Sequence, residues 1–381
     1  MQTPLIPPEP YSPLPTTARG YVPVLQDHLG ERTALSKASA RAWSRMTPLV
    51  EVVARGGEMT DPSVKSHVRR LHDAVGEHPV YLDLKRIDPS QLLETARGEQ
   101  PVLELLFAAA RKRGLCFMPV AWTNSAEEHL RLVREAMGSD CQGTALRHRL
   151  TGVSYGETVE GLLGRRVEQL GSTPEQIDLL LDLEYLDPDS DPSANWLSGL
   201  VGKVDGIGSW RCIVLIGTSV PSSFGNGLVP EHSWKELSRR EWGLWKSLTR
   251  TASASLAFGD YAVQNPNVPV KPPPIGPWAN IRYTLADNLL VARGKDTRTH
   301  GTEQYKELSS WISSHHGFKG AAFSYGDSEI ARWGASDNPD VVMVESEVDD
   351  TDVDEATSNT YWRGVGTSHH LEVVAEQITQ G

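Results

Sequence analysis

The stretch Asp178-Leu-Leu-Leu-Asp182-Leu-Glu184-Tyr-Leu-Asp187, near the middle of the chain, predicts a buried β-strand whose end carries acid. Side chains alternate between the two faces of a strand, so Asp182 and Glu184 share one face with Leu180, while the opposite face is apolar. This pattern is typical of an inner strand of an α/β protein whose active edge lies at the carboxyl ends of its strands. A surface strand with two solvated acids is the alternative, and four leucines in six residues disfavour it.

The composition indicates a soluble globular protein of one large domain or two ordinary ones. The chain has 381 residues, of which 39% are hydrophobic and 23% charged. No apolar run approaches the length of a membrane span, and the Pro-rich start has no signal-peptide pattern. The three cysteines lack metal-ligand spacing and cannot all pair, so a reducing cytoplasm is the expected compartment.

The charge pattern argues against a broad nucleic-acid-binding surface. The formal net charge is −12, and seven of the acids fall between Glu345 and Glu355. No dense block of lysine or arginine is present, so extended contact with a phosphate backbone is not expected. We expect the acidic stretch to be a solvated, mobile loop that could be deleted at little cost in stability.

Short strands alternate with helices along most of the chain, which predicts an α/β fold of the (β/α)8 TIM-barrel type. A doubly wound sheet is the alternative, but Gln26-Asp-His-Leu-Gly30 is not the Gly-rich phosphate turn that it would need after the first strand. The eight predicted strands are Tyr21–Leu25, Thr47–Val53, Val80–Lys85, Leu115–Thr123, Gly143–His148, the stretch quoted above, Trp210–Thr218 and Ser255–Ala262.

The domain organisation follows from where this alternation begins and breaks. We expect a Pro-rich arm over 1–20, a barrel over 21–333 with an excursion at 263–300, an acidic mobile loop over 334–358, and a helix over 359–381 that packs on the barrel. The excursion should contain a hairpin with its turn at Asp287-Asn288. Further predicted elements are a helix at His232–Leu248 with Trp234, Trp242 and Trp245 on its core face, the eighth barrel helix at Thr302–Ser313, and a short strand at Gly320–Ser324.

Five segments carry a resemblance to a known family. They are Tyr21-Val-Pro-Val-Leu25, Arg45-Met-Thr-Pro-Leu-Val-Glu51, Phe258-Gly-Asp-Tyr-Ala262, Arg282-Tyr283 and Trp362-Arg-Gly-Val-Gly-Thr-Ser-His-His370. The chain resembles the phage-type Beta protein family of phages and bacteria from about residue 20 to residue 380. The resemblance implies a single undivided unit and a setting of phage–host conflict, and it supplies no catalytic residues.

In a barrel, the carboxyl ends of the strands meet at one rim, and polar side chains gather at these ends. Five carboxylates against two cations give this set a formal charge of −3. We expect Asp182, Glu184, Asp83 and Glu51 to be catalytic, and the ligand-binding residues to be Lys85, Arg147, Trp122, Asp260, Tyr261, His369 and His370. Asn124 and Ser219 are further rim residues.

A charge of −3 in a partly dry cavity requires compensation, and three forms of it remain open. A divalent metal such as Mg²⁺ or Mn²⁺ could bind Asp182 and Glu184. One carboxyl group could stay protonated as a general acid while another acts as base or nucleophile. Lys85 and Arg147 could instead neutralise their neighbours and leave an inert polar plug. On this basis we expect Asp182→Asn to abolish function and leave the fold intact.

The functional prediction is a hydrolase, metal-assisted or carboxylate-driven, that acts on a phosphoester or a glycoside. The alternative is a non-catalytic binding or sensor protein of phage defence, which would use the same cavity or the C-terminal region. The expected partner is a small or phosphorylated molecule, with a protein partner also possible. His369-His370 should lie at a helix N-terminus capped by Thr367 or Ser368, where a neutral histidine suits a base or a ligand. The bland alternative is that one histidine packs and the other faces water.

Overall fold

The computed structural model describes residues 20–54, 58–140, 143–150, 158–189, 192–225, 227–250, 255–267, 278–335 and 358–380. The predicted Pro-rich arm over 1–20 and acidic loop over 334–358 fall almost wholly outside these ranges, as does 268–277 of the predicted excursion. Those expectations therefore stay predictions. Within the described ranges, no helix is both long enough and apolar enough to cross a membrane.

Eight parallel strands close into a barrel, as the sequence predicts. β1 pairs with β2 on one side and with β11 on the other, which joins the first strand to the last and removes every free edge. The barrel strands are β1, β2, β3, β6, β7, β8, β9 and β11. The strands of the described chain are β1 (Tyr21–Gln26), β2 (Leu49–Glu51), β3 (Val80–Asp83), β4 (Leu92–Thr95), β5 (Gly98–Pro101), β6 (Phe117–Trp122), β7 (Thr144–Arg149), β8 (Ile177–Tyr185), β9 (Cys212–Thr218), β10 (Ser233–Ser238), β11 (Leu256–Asp260), β12 (Trp278–Thr284) and β13 (Asn288–Asp296).

Most of the helices cover the outside of the barrel, and the remaining ones pack with the C-terminal part of the chain. Their bounds are α1 (Leu29–Ser36), α2 (Ala40–Trp43), α3 (Asp61–Val75), α4 (Val102–Arg113), α5 (Glu127–Asp140), α6 (Val159–Gln169), α7 (Ala194–Asp205), α8 (Arg240–Thr249), α9 (Thr297–His300), α10 (Gln304–Ser313), α11 (Tyr325–Ala335) and α12 (Ser358–Gln380). Side-chain capping stabilises the first turn of several helices. Thr60 and Ser63 form a reciprocal capping box at α3, with Pro62 in its first turn.

The strand quoted at the outset shows how the two cores arise. Leu180 lies inside the barrel, where it packs with Val24, Tyr81 and Val214. The side chains of Leu179, Leu181 and Leu183 point outward into the layer between strands and helices. A period of two therefore divides one run of leucines between an inner and an outer core, as it must in a barrel strand.

The C-terminal part of the chain adds a second layer. The predicted hairpin is present as β12 and β13, and β10 joins it to make an antiparallel sheet in the order β10-β13-β12. Leu285 N–H donates to the carbonyl of Asn288 and closes the turn, which spans the predicted Asp287-Asn288. A separate polar hairpin, β4–β5, follows β3 and was not expected from the sequence.

The predicted helix at His232–Leu248 is wrong in its first half. Ser233–Ser238 is the strand β10, and the helix α8 begins only at Arg240. Pairing with β13 supplies the backbone hydrogen bonds that a helix would otherwise have made. Trp242 and Trp245 do lie together against Phe258, but Trp234 belongs to the strand and is 51% exposed.

The eighth barrel helix is also not where the sequence placed it. The predicted helix at Thr302–Ser313 exists as α10, but Tyr305, Leu308 and Ile312 pack against the hairpin strands. It is α12 that covers β1, through Leu371 and Val374 among other apolar residues. The predicted packing of the C-terminal helix on the barrel agrees with this arrangement. The predicted strand at Gly320–Ser324 is a turn.

Candidate functional site

A buried arginine lies at the centre of the carboxyl-terminal rim. Arg147 on β7 is 1% exposed, and all five of its N–H groups donate to residues at or just after the carboxyl ends of other barrel strands. Nε and Nη2 donate to Asp182 Oδ2 at 2.9 and 2.6 Å, and Nη1 donates to Glu51 Oε1 and Asp83 Oδ2 at 2.9 Å each. The fifth N–H donates to the Tyr261 hydroxyl at 2.7 Å. These five residues, which we call the Arg147 network, leave no guanidinium proton for a ligand.

Strand geometry explains why these residues meet. Each polar member of the rim follows an inward-facing core residue by two positions, so all of them point into the barrel. Neighbouring strands then hold them side by side, with Glu51 opposite Asp83 in the register of β2 and β3. The pairs are Leu49 and Glu51, Tyr81 and Asp83, Val120 and Trp122, Ala145 and Arg147, and Leu180 and Asp182.

The network is electrostatically balanced rather than strongly acidic. Arg86 Nε donates to Glu51 Oε2 at 2.6 Å, and Arg149 binds Glu184 at 2.5 Å. With Lys85 and Arg147, four cations face the carboxylates of Glu51, Asp83, Asp182 and Glu184. The predicted charge of −3 is therefore wrong for this rim, because Asp260 lies elsewhere and two arginines enter. No metal or extra proton is needed to balance these charges.

Within the network the carboxyl groups differ in proton affinity. Burial would raise the pKa of Glu51, but the guanidinium groups of Arg147 and Arg86 hold it below its usual range. Burial raises the pKa of Asp83, and the Glu51 carboxylate adds to that rise while Arg147 opposes it. Asp83 also accepts hydrogen bonds from Trp122 Nε1 at 3.0 Å and from the N–H of Lys85 at 2.9 Å. The surroundings therefore shift the pKa values of Asp83 and Glu51 in opposite directions.

Asp182 and Glu184 do not form the predicted metal pair. Asp182 Oδ1 accepts from the N–H of Glu184 at 2.9 Å, and its Oδ2 accepts from both Arg147 and Tyr261. The backbone of Glu184 turns to a positive φ of 53°, and its side chain contacts Arg149 at the edge of the rim. Across the described ranges, no group of three or more His, Cys, Asp or Glu side chains is arranged to hold a metal ion.

Asp260 lies on the outer side of the barrel wall, contrary to its predicted place at the rim. Its Oδ1 accepts from the Tyr21 hydroxyl and its Oδ2 contacts His370 Nε2, both at 2.8 Å. Phe258, two positions earlier, packs in the outer core, so parity sends Asp260 outward as well. Tyr261 takes the inward position and joins the Arg147 network.

His369 and His370 lie in the middle of α12, which begins at Ser358, so the predicted helix N-terminus at Thr367 or Ser368 is wrong. His369 contacts Asp327 Oδ2 through Nδ1 at 2.7 Å and the Thr284 carbonyl through Nε2 at 2.8 Å. His370 contacts Asp260 and, through Nδ1, Thr284 Oγ1 at 2.8 Å. Both rings are buried, so these contacts fasten α12 to the barrel and the hairpin.

The solvent side of the rim is cationic. Lys85 Nζ donates to Asn124 Oδ1 at 2.7 Å, and it lies 5.2 Å from the centre of the Trp122 ring. The guanidinium groups of Arg147 and Arg149 lie 4.4 and 5.9 Å from the same ring. Trp122 is only 4% exposed, so it supports cations rather than offering a free face for a sugar or base. The sequence analysis missed Arg86 and Arg149, although Arg149 shares the parity of Arg147.

A small cavity of about 20 Å³ opens beside the network at the carboxyl end of β1. Its lining includes Glu51 and Tyr261 together with Glu31, Gln264 and Arg363. Glu31 Oε2, Gln264 Nε2 and Arg363 Nε have no hydrogen-bond partner within the part of the chain that the structure describes. This volume suits one ordered water, which could bind these groups.

Comparisons with known proteins place the chain in a family. Among solved structures it is similar to a type I 3-dehydroquinate dehydratase from Clostridium difficile, at 13% identity over 66% of this chain and 88% of that chain, with a TM-score of 0.39. It is also similar to a 3-hexulose-6-phosphate synthase, at 14% identity over 64% of this chain and 89% of that chain, with a TM-score of 0.32. No curated protein matches the sequence. The Beta protein family model matches residues 21–376, which confirms the resemblance carried by the five segments. The chain therefore belongs to the Beta protein family.

Proposed function

We propose that this protein is a binding or sensor protein that recognises an anionic small molecule, phosphorylated or carboxylated, at the rim around Lys85. The setting that we propose is phage–host conflict, which rests on the family resemblance alone. The binding proposal rests on one observation: at the rim, the outer cations are exposed and the carboxylates are buried. Exposed cations lie above buried carboxylates, so a molecule that arrives from solvent meets positive charge first.

The exposures of the side chains define these two levels. Lys85 is exposed and the side chain of Arg149 is 51% exposed. Beneath them the side chain of Glu184 is 12% exposed, and Asp83 and Asp182 are fully buried. Water screens charges less inside the protein than at its surface, so Asp83 and Asp182 stay paired with Arg147. Lys85 and Arg149 face solvent, and Arg149 also pairs with Glu184.

Of the four cations at the rim, Lys85 is held least strongly by the carboxylates. The contact that its Nζ makes is with the neutral amide of Asn124, whereas Arg86, Arg147 and Arg149 each contact a carboxylate. Burial lowers the pKa of Lys85, and Arg149 and Arg147 lower it further against the pull of Asp83. A bound phosphate or carboxylate would relieve this crowding of positive charge and accept hydrogen bonds from Lys85 and Arg149.

Titration calorimetry with a sugar phosphate and with the same sugar without its phosphate tests this proposal. We expect binding of the phosphate ester alone, weakened about tenfold or more in Lys85→Gln, because a charge-assisted contact is lost. Lys65→Gln is the matched control, since Lys65 is an exposed lysine on α3 that pairs with Asp61. Equal affinity for the neutral sugar, or equal weakening in both variants, would contradict the proposal.

Carboxylate-driven hydrolysis is the second candidate, and the split between Glu51 and Asp83 favours it. Paired carboxyl groups whose surroundings push their pKa values apart are the usual basis for an acid and a base in one site. Asp83 would be the acid and Glu51 the base, after a movement that frees both from Arg147. Release of p-nitrophenol from its phosphate ester or from its glycosides, lost in Asp83→Asn, would support hydrolysis. Binding without turnover of any of these compounds would leave the binding function alone.

A further inference from the structure

A second buried arginine, Arg239, lies outside the rim and makes its side-chain hydrogen bonds through Nη1. It lies between β10 and α8, is 4% exposed, and donates from Nη1 to the carbonyls of Leu285 and Ala286 and to Gln377 Oε1 at 2.9–3.3 Å. Nε and Nη2 have no hydrogen-bond partner among the described residues. These two atoms form the edge through which a guanidinium group donates two parallel hydrogen bonds to an anion.

Two other arginines of the same protein place that edge on a carboxylate. Arg147 does so on Asp182, and Arg211 places Nε and Nη2 on the two oxygens of Asp178 at 2.7 and 2.5 Å. For Arg239 the nearest carboxylate oxygen in its ion pair is Glu241 Oε1, 3.7 Å from Nε, which is beyond hydrogen-bonding distance. A buried cation left in this state is costly, so the structure implies a missing partner.

Arg239 lines a small space of about 10 Å³ at the junction of the barrel with the C-terminal layer. Polar residues from three elements line it, namely Ser219, Ser238, Glu241 and His370 beside Arg239. Glu241 Oε2 already accepts from Ser219 N–H and Oγ at 3.0 and 2.5 Å, which leaves Oε1 facing the arginine. The space admits one small particle, such as a water molecule or a halide ion, and excludes any organic ligand.

We propose that this space is a small-anion site, in which a halide-sized ion accepts hydrogen bonds from Nε and Nη2 of Arg239. The ion would join the turn before α8 to the end of β9 and to α12, and so fix the C-terminal layer on the barrel. The site is separate from the Arg147 network, and the inference does not depend on the proposed ligand at the rim.

The charged groups around the site determine how the affinity for an anion changes with pH. Burial raises the pKa of Glu241, and the Asp260 carboxylate adds to the rise, while Arg239 and Ser219 oppose it. His370 on α12 also lines this space, and it contacts Asp260, which accepts a hydrogen bond from Tyr21 on β1. An ionised Glu241 repels an anion and a protonated one can donate to it, so binding should strengthen as pH falls. Protonation of His370 would act in the same direction, which makes a Glu241 variant necessary to separate the two.

The test combines diffraction and solution stability. Crystals of the full chain soaked in sodium bromide should show an anomalous peak at hydrogen-bonding distance from Arg239 Nε and Nη2. In solution, chloride should raise the melting temperature by about 2 °C or more over gluconate at the same ionic strength, because an ion that binds only the folded state stabilises it. The rise should be larger at pH 5 than at pH 8.

Two variants sharpen the outcome. Arg239→Lys keeps the charge but loses the two-pronged edge, so the chloride effect should disappear. Glu241→Gln is neutral at every pH, so the chloride effect should persist and lose the part of its pH dependence that Glu241 causes, while any remaining dependence would come from His370. This variant remains informative if Arg239→Lys fails to fold. Density without anomalous signal, together with equal melting temperatures in chloride and gluconate, would identify a water molecule and overturn the proposal. A bromide peak without any chloride effect in solution would overturn it as well.

Discussion

For Asp182, the sequence pattern and the tertiary contacts lead to opposite expectations about the stability of the fold. As one of several crowded carboxylates it should be dispensable for folding, and its neutralisation should relieve repulsion. In the structure it is instead a main acceptor for Arg147 and also accepts from Tyr261 and from the backbone of Glu184. Removing its charge leaves a buried guanidinium short of a counter-charge, and that penalty exceeds any relief of repulsion.

We therefore predict that Asp182→Asn lowers the free energy of unfolding by roughly 3 kcal/mol, the scale for breaking one side of a buried ion pair. Urea denaturation measures this loss. Asp189→Asn, at an exposed position on the loop after β8, should change stability by less than about 0.5 kcal/mol. Equal stability of Asp182→Asn and the unmodified protein would show that the Arg147 network does not contribute to the folded state.

At the scale of elements, α12 takes the place that the sequence assigned to α10. It reaches β1 because its backbone approaches α1 more closely than side chains would allow. A Cβ atom added at Gly364 would lie 2.8 Å from the carbonyl oxygen of Gly30 and 3.1 Å from its Cα. This close approach is a helix–helix contact between α12 and α1.

Two glycine-to-alanine substitutions should therefore have opposite signs. Gly364→Ala forces two backbones apart and should cost about 1–3 kcal/mol. Gly164→Ala, on α6 with no atom within 4 Å of the added Cβ, should gain about 0.5–1 kcal/mol from helix propensity. Thermal and urea unfolding of both variants decide the matter. A stabilising Gly364→Ala would mean that α12 does not pack on α1 in this way.

At the scale of the whole molecule, buried carboxylates that are ionised in the folded state tie stability to pH. Burial would raise the pKa of Asp27, but His67 and Arg32 hold it well below its usual range. His370 and Arg239 do the same for Asp260, and arginines do so for Glu51. A carboxyl group with a depressed pKa contributes stability above its unfolded pKa of about 4 and loses that contribution as pH falls.

We predict that the free energy of unfolding falls steeply from about pH 5 to pH 3. Asp83 and Glu241, whose pKa values are raised, act oppositely, since their contribution is present at low pH and is lost as pH rises. Urea midpoints across this range give the slope. Asp27→Asn should flatten it, and Asp205→Asn at the exposed end of α7 should not. A midpoint that is constant down to pH 3 would contradict the prediction.

The sequence by itself determined the barrel. Eight apolar strands of period two, each followed by a helix, admit few other arrangements, and all eight predicted strands take part in the closed sheet. It also determined that Glu51, Asp83, Arg147 and Asp182 meet, because parity and strand order follow from spacing alone. The hairpin at Asp287-Asn288 had a local turn signal that no tertiary contact overrode.

Tertiary structure alone decided the rest, because those features depend on contacts between residues far apart in the chain. Ser233–Ser238 became a strand only because β13, more than fifty residues later, offered an edge to pair with. Asp260 points outward because it lies on the same face of β11 as Phe258, and there it contacts His370 on α12. The charge of the rim likewise depended on which arginines entered it. Sequence spacing places side chains on faces, and only packing decides which faces meet.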